Sequence, residues 1–550
     1  MPDRRQATVE LEARYGRRAH EVLARLRSLR DAHGRIDPAD VDAVAEAVGL
    51  PRAHVNGAAR FFADFQPSGD GRPVRVCAGT ACFAATGGSH LAEVGAIESL
   101  SATPVHCLGY CYASPAALDG EMPRTGADLC AQLEEKAQPE DPEIPYAAAV
   151  DEPVVLGRLL GRAAAPWTAW REVLDSEDGG RIGREVTLAG LRGRGGAGFP
   201  VAKKWATAAE SGADGLRYVV CNGDEGDPGS YADRLLMERD PHAVLEGLAL
   251  AGLAAGAQRG FVYVRSEYPR ARETLSAAVR EARAAGDLGD RFDIEVFEGA
   301  GSYVAGEETS LIHSMEGLRG GAAARPPFPA EHGLYGRPTV VNNVETLAAV
   351  PWIVLNGGER YAALGTEANR GTKLVCLNAT FARPGVYEVE FGVSLRTICD
   401  ELGGGLRSGH ALRAVQVGGP LGGFLGADDL DLPLAIEPLR RAGVELGHGS
   451  LVGFGEEIPA ARLLVHVWRF AADESCGTCF PCRIGSRRGL EIAERVAAGE
   501  TRAEDAGALQ AAMDAMHSGG LCGFGQGVPA SVRSLIRVYG AELAGEGLAT

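Results

Sequence analysis

Eight of the twelve cysteines stand in two groups, and their spacing is that of ligands. Cys476-Gly-Thr-Cys479-Phe-Pro-Cys482 is followed 40 residues later by Cys522, in Ser518-Gly-Gly-Leu-Cys522-Gly-Phe-Gly525. Three thiolates at two-residue intervals can meet one face of a 4Fe–4S cubane, and a remote fourth completes it. A structural Cys₄ zinc site is the alternative, although zinc usually takes its ligands two and two. The other group is Cys77-x₄-Cys82 with Cys107-x₃-Cys111. Two pairs on two loops suit a 2Fe–2S rhomb, with zinc again the alternative that spacing leaves open. Dithiol exchange would want Cys-x-x-Cys, which this region lacks.

Between the cysteine groups runs Arg192-Gly-Arg-Gly-Gly-Ala-Gly-Phe-Pro200, which satisfies G-x-G-x-x-G through Gly193, Gly195 and Gly198. A dinucleotide fingerprint also needs a hydrophobic strand before it and a helix opening at the last glycine. Here the lead-in is weak and Phe199-Pro200 interrupts the exit. A structural glycine turn therefore stands beside a loop whose bare amides, with Arg194, Lys203 and Lys204, suit a phosphate or a flat ring. Three more runs support the second reading. Asn222-Gly-Asp224-Glu225-Gly-Asp227 follows an expected strand; Tyr303-Val-Ala-Gly306-Glu307-Glu308 follows another; Asn342-Asn343-Val-Glu345-Thr346 presents amides and a hydroxyl. Loops at strand ends carrying acids, amides and glycines are where an α/β sheet binds its ligand. A hydride donor delivers two electrons and a cluster takes one, so a flavin between them is implied.

Elements must position these groups. Val22, Leu23, Leu26 and Leu29 repeat at helical spacing, and Asp37-Pro38 opens a second helix that Gly49 stops, so residues 1–66 are expected to form a small helical bundle. Pro73–Cys77 reads as a strand, a loop then holds Cys82, Ser89–Val94 starts a helix, and Ala116–Asp119 is a strand. Gln138–Pro145 reads as a linker. From about 150 to 370, strands (Tyr218–Cys221, Phe261–Arg265, Ile294–Phe297) alternate with Ala-rich helices, as in an α/β layer. Short strands and Gly-rich turns from Lys373 to about Leu451 suggest an α+β module, and the remainder is helical, most clearly Arg487–Ala498.

Composition sets outer bounds. The chain has 550 residues, 45% hydrophobic and 23% charged, which excludes wholesale disorder. Its net charge of −18 argues against a nucleic-acid grip over the whole surface. The nearest thing to an apolar span, Gly247–Ala257, is short and holds three glycines. The polar start Met1-Pro-Asp-Arg-Arg5 is unlike an export signal, so a cytoplasmic protein is expected.

From about Glu185 onward the chain resembles the NADH-binding flavoprotein subunit of respiratory complex I and the diaphorase subunits of NAD-reducing hydrogenases and formate dehydrogenases. The resemblance lies in RGRGGAGFP (192–200), CNGDEGDPG (221–229), GSYVAGEET (301–309), RPPFP (325–329), GLYGRPTVVNNVET (333–346) and ESCGTCFPCR (474–483). Residues 1–135 resemble the small thioredoxin-like 2Fe–2S subunit of the same enzymes, through CAGTAC (77–82) and CLGYC (107–111). The chain thus looks like a fusion of the two, as in the diaphorase subunits of soluble hydrogenases.

The resemblance implies a multidomain α/β chain: a helical preface (1–66), a thioredoxin-like 2Fe–2S domain (72–137), a Rossmann-like FMN and NADH domain (150–370), a β-grasp-like domain (371–453) and a C-terminal helical bundle with an Fe–S cluster (454–550). It implies FMN and NAD(H) held among Gly193, Arg194, Gly195, Gly196, Lys204, Asn222, Asp224, Glu225, Tyr303, Gly306, Glu307, Asn342, Asn343 and Thr346. Phe199 and Phe328 would grip the adenine, Arg325 would lie near the nucleotide, and Glu308 and Asp227 near the nicotinamide. It implies 4Fe–4S at Cys476, Cys479, Cys482 and Cys522, and 2Fe–2S at Cys77, Cys82, Cys107 and Cys111. No side chain need act as acid or base when hydride passes directly to the flavin. The expected partners are other Fe–S and catalytic subunits of a multisubunit oxidoreductase, in a soluble formate dehydrogenase or hydrogenase or in complex I. A non-enzymatic iron–sulfur relay or scaffold is the reading from another class. The sequence departs from the family pattern at Thr207, where an adenine-facing aromatic is often found, at Asp227, usually Glu, and at Arg325, where a Lys is found. The span from Leu288 to Gly299 is shorter than in complex I relatives, and that from Cys82 to Cys107 is short for a thioredoxin-like domain.

Overall fold

The computed structural model describes residues 19–67, 69–135, 141–176, 178, 180–212 and 215–548. The polar start at residues 1–5 and the first part of the expected linker, 138–140, lie outside the described residues. The chain is a multidomain α/β protein that divides into two compact units. One comprises Met1–Ser68, Val150–Glu225 and Ala232–Thr372; the other comprises Gly69–Ala149, Gly226–Tyr231 and Lys373–Thr550.

The first unit is built on a four-stranded parallel sheet ordered Asp293–Glu298, Arg259–Val264, Tyr218–Gly223, Thr339–Asn343. In chain order this is 3-2-1-4, so the chain reverses its direction of travel between the first and fourth strands. In open α/β sheets, ligands bind at the carboxyl ends of the strands beside such a reversal. The three strands Arg259–Val264, Tyr218–Gly223 and Thr339–Asn343 carry apolar runs buried along most of their length, whereas the edge strand Asp293–Glu298 alternates acids with Ile294, Val296 and Phe297. Gly247–Ala257, the most apolar run, lies mostly within the helix Pro241–Ala255, buried on nearly every side. It is apolar because it is central. A Cβ at Gly247 would stand 2.0 Å from the Leu347 carbonyl oxygen, so the helix touches backbone to backbone. Among the described residues no helix is long and apolar enough to cross a membrane.

The preface helices Val22–His33, Pro38–Val48 and Arg52–Phe61 belong to this unit. Asp37 and Asp40 form a reciprocal N-terminal box, Pro38 stands in the first turn, and Gly49 ends the helix at φ 69°. Their apolar stripe (Val22, Leu26, Val55, Phe62) shares one core with Tyr218, Phe261, Tyr263, Ile312 and Met315 of the sheet layer. Arg27 adds a hydrogen bond to the Gly299 carbonyl and an ion pair with Glu298.

The second unit holds two sheets. The smaller is ordered Leu100–Val105, Arg72–Cys77, Ala116–Asp119, Met122–Thr125; its first pair is parallel and the others antiparallel. Cys82 does not lie on a loop, as its neighbours suggested, but in the helix Thr80–Thr86. The larger sheet is ordered Gly423–Gly426, Ala414–Val417, Ser450–Phe454, Thr372–Leu377, Gly385–Glu390, Tyr146–Ala148. The last strand emerges directly from the expected linker and pairs in parallel with Val386–Glu388. Four helices, Ala460–Glu474, Phe480–Ala497, Asp505–Gly519 and Gly523–Gly545, complete the unit. At Gly489 a Cβ would meet the Trp468 ring at 2.4 Å, so this glycine lets two of these helices close.

Candidate functional site

In the first unit the glycine loop lies upstream of the first sheet strand and opens the helix Val201–Glu210 after Pro200. Only a single bridge, Arg192 to Pro200, precedes that helix in place of a strand. The run is therefore not a strand–turn–helix dinucleotide fingerprint, although its glycines match one. Its packing separates the glycines by role. A Cβ at Gly195 would press on the Asn343 Cβ at 3.0 Å, whereas one at Gly193 would meet only Phe199 backbone, at 3.7 Å or more. Protein packing explains Gly195, whereas a side chain at Gly193 would meet nothing nearer than that backbone.

The sheet's reversal point supplies the rest. Asn222 at the end of the first strand donates to the Gly306 carbonyl (2.7 Å) and accepts from the Asp224 N–H (3.1 Å). Asn342 at the end of the fourth strand accepts from the Trp205 indole at 2.8 Å. Asn343 donates to Asp233 and caps the next helix by accepting from the Thr346 N–H. The Thr346 hydroxyl accepts from the Arg194 N–H at 2.8 Å, which ties the glycine loop to the fourth strand. The Arg194 guanidinium is buried and turns to the protein. It donates to the carbonyls of Thr372, Arg370 and Arg192 and to the Tyr361 hydroxyl. Arg194 thus offers the loop a backbone N–H and a fixed geometry. Glu225 is likewise inward, accepting from the N–H groups of Asp233 and Arg234.

A charged cluster sits on the third segment. Glu307 caps the helix Glu308–Met315 by accepting from the Thr309 and Ser310 N–H groups. Glu308 takes Lys204 at 3.3 Å on one oxygen and Arg325 at 2.8 Å on the other, and Lys204 also donates to the Val341 carbonyl. Tyr303 and Gly306 share the short turn just before. Phe199 and Phe328 are large apolar side chains left 45% and 51% exposed. Asp227 falls in the second unit, where His448 Nδ1 lies 2.7 Å from its Oδ2.

Both cysteine groups are in the second unit. The sulfurs of Cys107 and Cys111 are 3.6 Å apart, and the Gly109 N–H donates to Cys107. Cys77 is held towards its thiolate because Cys82 donates to it, with the Gly79 and Leu108 amides assisting against burial; Cys82 is correspondingly pushed up. Cys107 sits at φ 71°, a left-handed backbone that tightens its turn. In the second group Cys479 and Cys522 each stand at the N-cap of a long helix. The Cys482 thiol is pushed up to about 12 by burial and by the nearby Cys479, Cys522 and Cys476, against the pull of Ser475. Among the described residues no three His, Cys, Asp or Glu side chains converge as they would about one metal ion. What fits an iron–sulfur cluster is the chemistry of the donors: two sets of four thiols, one in which Cys82 and loop amides hold Cys77 towards its thiolate, the other close enough round Cys482 to push its thiol up. Of the four remaining cysteines, Cys221 and Cys399 have thiols raised by burial, as inert core thiols are.

Three family models tile the chain. The thioredoxin-like [2Fe-2S] ferredoxin matches residues 9–122, the Nuo51 FMN-binding domain 186–352, and the NADH-ubiquinone oxidoreductase-F iron-sulfur binding region 462–545. The NADP-reducing hydrogenase subunit HndC of Solidesulfovibrio fructosivorans is 43% identical over 65% of this chain and 74% of its own length. The F subunit of NADH-quinone oxidoreductase from Escherichia coli (strain K12) is 41% identical over 62% of this chain and 78% of its own. This chain belongs to the same family as that F subunit. Its cofactors are accordingly FMN, 4Fe–4S and 2Fe–2S, and it is an NADH-dehydrogenase-type oxidoreductase component. A crystal structure of NAD+-reducing [NiFe]-hydrogenase in the H2-reduced state holds a chain that superposes with a TM-score of 0.85 at 34% identity, over 97% of this chain and 93% of that one.

Sequence reading of this family member missed the supports of the site. Trp205, Asp233 and Tyr361 lie outside the glycine and asparagine motifs, yet they orient Asn342, Asn343 and Arg194. Ser114 and Ser475, which contact Cys82 and Cys482, could have been found as hydroxyls beside cysteine motifs.

Proposed function

We propose that the chain is the diaphorase module of a soluble, cytoplasmic NAD-dependent hydrogenase or formate dehydrogenase, exchanging electrons between NAD(H) and partner Fe–S and catalytic subunits. The observation that carries this reading is the NAD+-reducing hydrogenase chain, which covers the N-terminal cysteine region and the flavin region together. In this reading residues 1–66, 72–137, 150–370, 371–453 and 454–550 are the helical preface, thioredoxin-like, Rossmann-like, β-grasp-like and cluster-bearing helical domains.

The flavin residues would be Gly193, Gly195, Gly196, Asn222, Asp224 and Thr346 by backbone and amide contact, with Lys204 and Arg325 supplying positive charge. Bound FMN supplies the acceptance of an electron pair as hydride and its release one electron at a time. The protein's part is orientation. Thr346 and Asn343 fix the loop against the sheet, Lys204 and Arg325 hold Glu308 from two sides, and Phe199 and Phe328 offer apolar faces to a base. Cys77, Cys82, Cys107 and Cys111 would hold the 2Fe–2S cluster, and Cys476, Cys479, Cys482 and Cys522 the 4Fe–4S cluster.

The test is a full-length preparation assayed for FMN, iron and NADH:ferricyanide reduction. Yellow-brown protein that NADH bleaches supports the reading; clusters without flavin would make it a relay or scaffold only. Co-purification with a quinone-reducing membrane assembly would favour the complex I alternative, to which the 41% identity with the Escherichia coli protein also points.

A further inference from the structure

We infer that the Gly229 amide tunes the potential of the 2Fe–2S cluster by donating to the sulfur of Cys111. This rests on the reading of Cys77, Cys82, Cys107 and Cys111 as that cluster's ligands. Gly79, Leu108 and Gly109 donate to sulfurs from within the cysteine loops. Gly229 reaches Cys111 Sγ, at 3.3 Å, from a segment 118 residues away in sequence.

The segment Gly226–Tyr231 is built to aim that N–H. Gly229 sits at φ +118°, and a Cβ there would lie 2.9 Å from Val452 Cγ2 and 3.0 Å from Ser450 Cβ. No other residue holds this backbone without moving it. The segment is pinned on both sides. Before Gly229, Asp227 is paired with His448 and its carbonyl accepts from the Ser230 N–H. After it, Tyr231 donates its N–H to Cys376 Sγ and its hydroxyl to the Leu377 carbonyl. The cysteine loop meets the same segment, since a Cβ on Gly79 would lie 3.1 Å from Pro228 Cβ. A fixed N–H on a cluster sulfur draws off negative charge and favours the reduced state, so it raises the midpoint potential.

The experiment is an EPR-monitored redox titration of the full-length protein as purified, comparing wild type with Gly229→Ala and His448→Gln. Gly229→Ala displaces the amide, and His448→Gln loosens Asp227 without touching the backbone beside sulfur. The 2Fe–2S midpoint is expected to fall in both, more in Gly229→Ala, with the 4Fe–4S midpoint unmoved as the internal reference. A purely structural glycine would lower 2Fe–2S occupancy without moving the midpoint of the fraction that assembles, and that result overturns the inference. If Gly229→Ala assembles no cluster, an unmoved midpoint in His448→Gln overturns it. Absence of any 2Fe–2S signal in wild type would instead overturn the ligand reading beneath it.

Discussion

In the C-terminal helices Cys479 and Cys522 stand directly ahead of helices of 18 and 23 residues, so each sits at the positive end of a helix dipole. In the N-terminal cysteine region the helix holding Cys82 is only seven residues long, and sulfur charge is met by single amides from turns. The surroundings differ too. Cys77, Cys82, Cys107 and Cys111 are buried throughout, whereas Cys479 is half-buried, and Phe480 and Leu521, next in sequence to Cys479 and Cys522, are exposed. Stabilisation by helix ends is carried in the local sequence, because a helix follows its own cap. Stabilisation by separate amides depends on segments that only folding brings together.

The proposed ligands separate the two cysteine groups most sharply. Cys522→Ser is expected to abolish the 4Fe–4S EPR signal while leaving 2Fe–2S and FMN in place, and Cys111→Ser to do the converse. Loss of both signals from either variant, in folded protein, would show that the two sites assemble as one.

A second difference concerns protonation. His466 stacks on Phe83 and contacts Thr80 on the helix that carries Cys82, and burial pushes its pKa down to about 3. It is neutral when folded and protonates near 6.5 when unfolded, so the unfolded chain binds the extra proton as pH falls from there towards 3. Stability from this group is full above about 6.5 and declines by about 1.4 kcal/mol per pH unit below it. His466→Gln is expected to flatten that acid slope, measured by urea unfolding at several pH values. An unchanged slope would place the acid sensitivity elsewhere.

The smallest effect belongs to a single hydroxyl. Ser475 Oγ lies 3.3 Å from Cys482 Sγ. Ser475→Ala is expected to lower the 4Fe–4S midpoint by roughly 20–60 mV, the equivalent of one neutral hydrogen bond. The 2Fe–2S midpoint should stay where it is, and a shift in it would contradict the separate control of the two sites.

Sequence was sufficient wherever a function is carried by neighbours along the chain. The Asp37-Pro38 start and Gly49 stop, and the amides Asn222 and Asn342 at the ends of their strands, were legible because caps and strand ends act over a few residues. Folding decided what depends on distant surfaces. The preface helices precede the cysteine region in the chain yet bury their stripe with Tyr218 and Phe261, since a stripe records that it must be covered and not by what. Arg194 carries the charge a phosphate would want, but four backbone and hydroxyl acceptors take its guanidinium inward. Gly229 looks like one more loop glycine until its amide is found against a sulfur 118 residues away. Composition and spacing fix which atoms can do the chemistry; burial and hydrogen-bond partners, which exist only in three dimensions, decide which of them are free to do it.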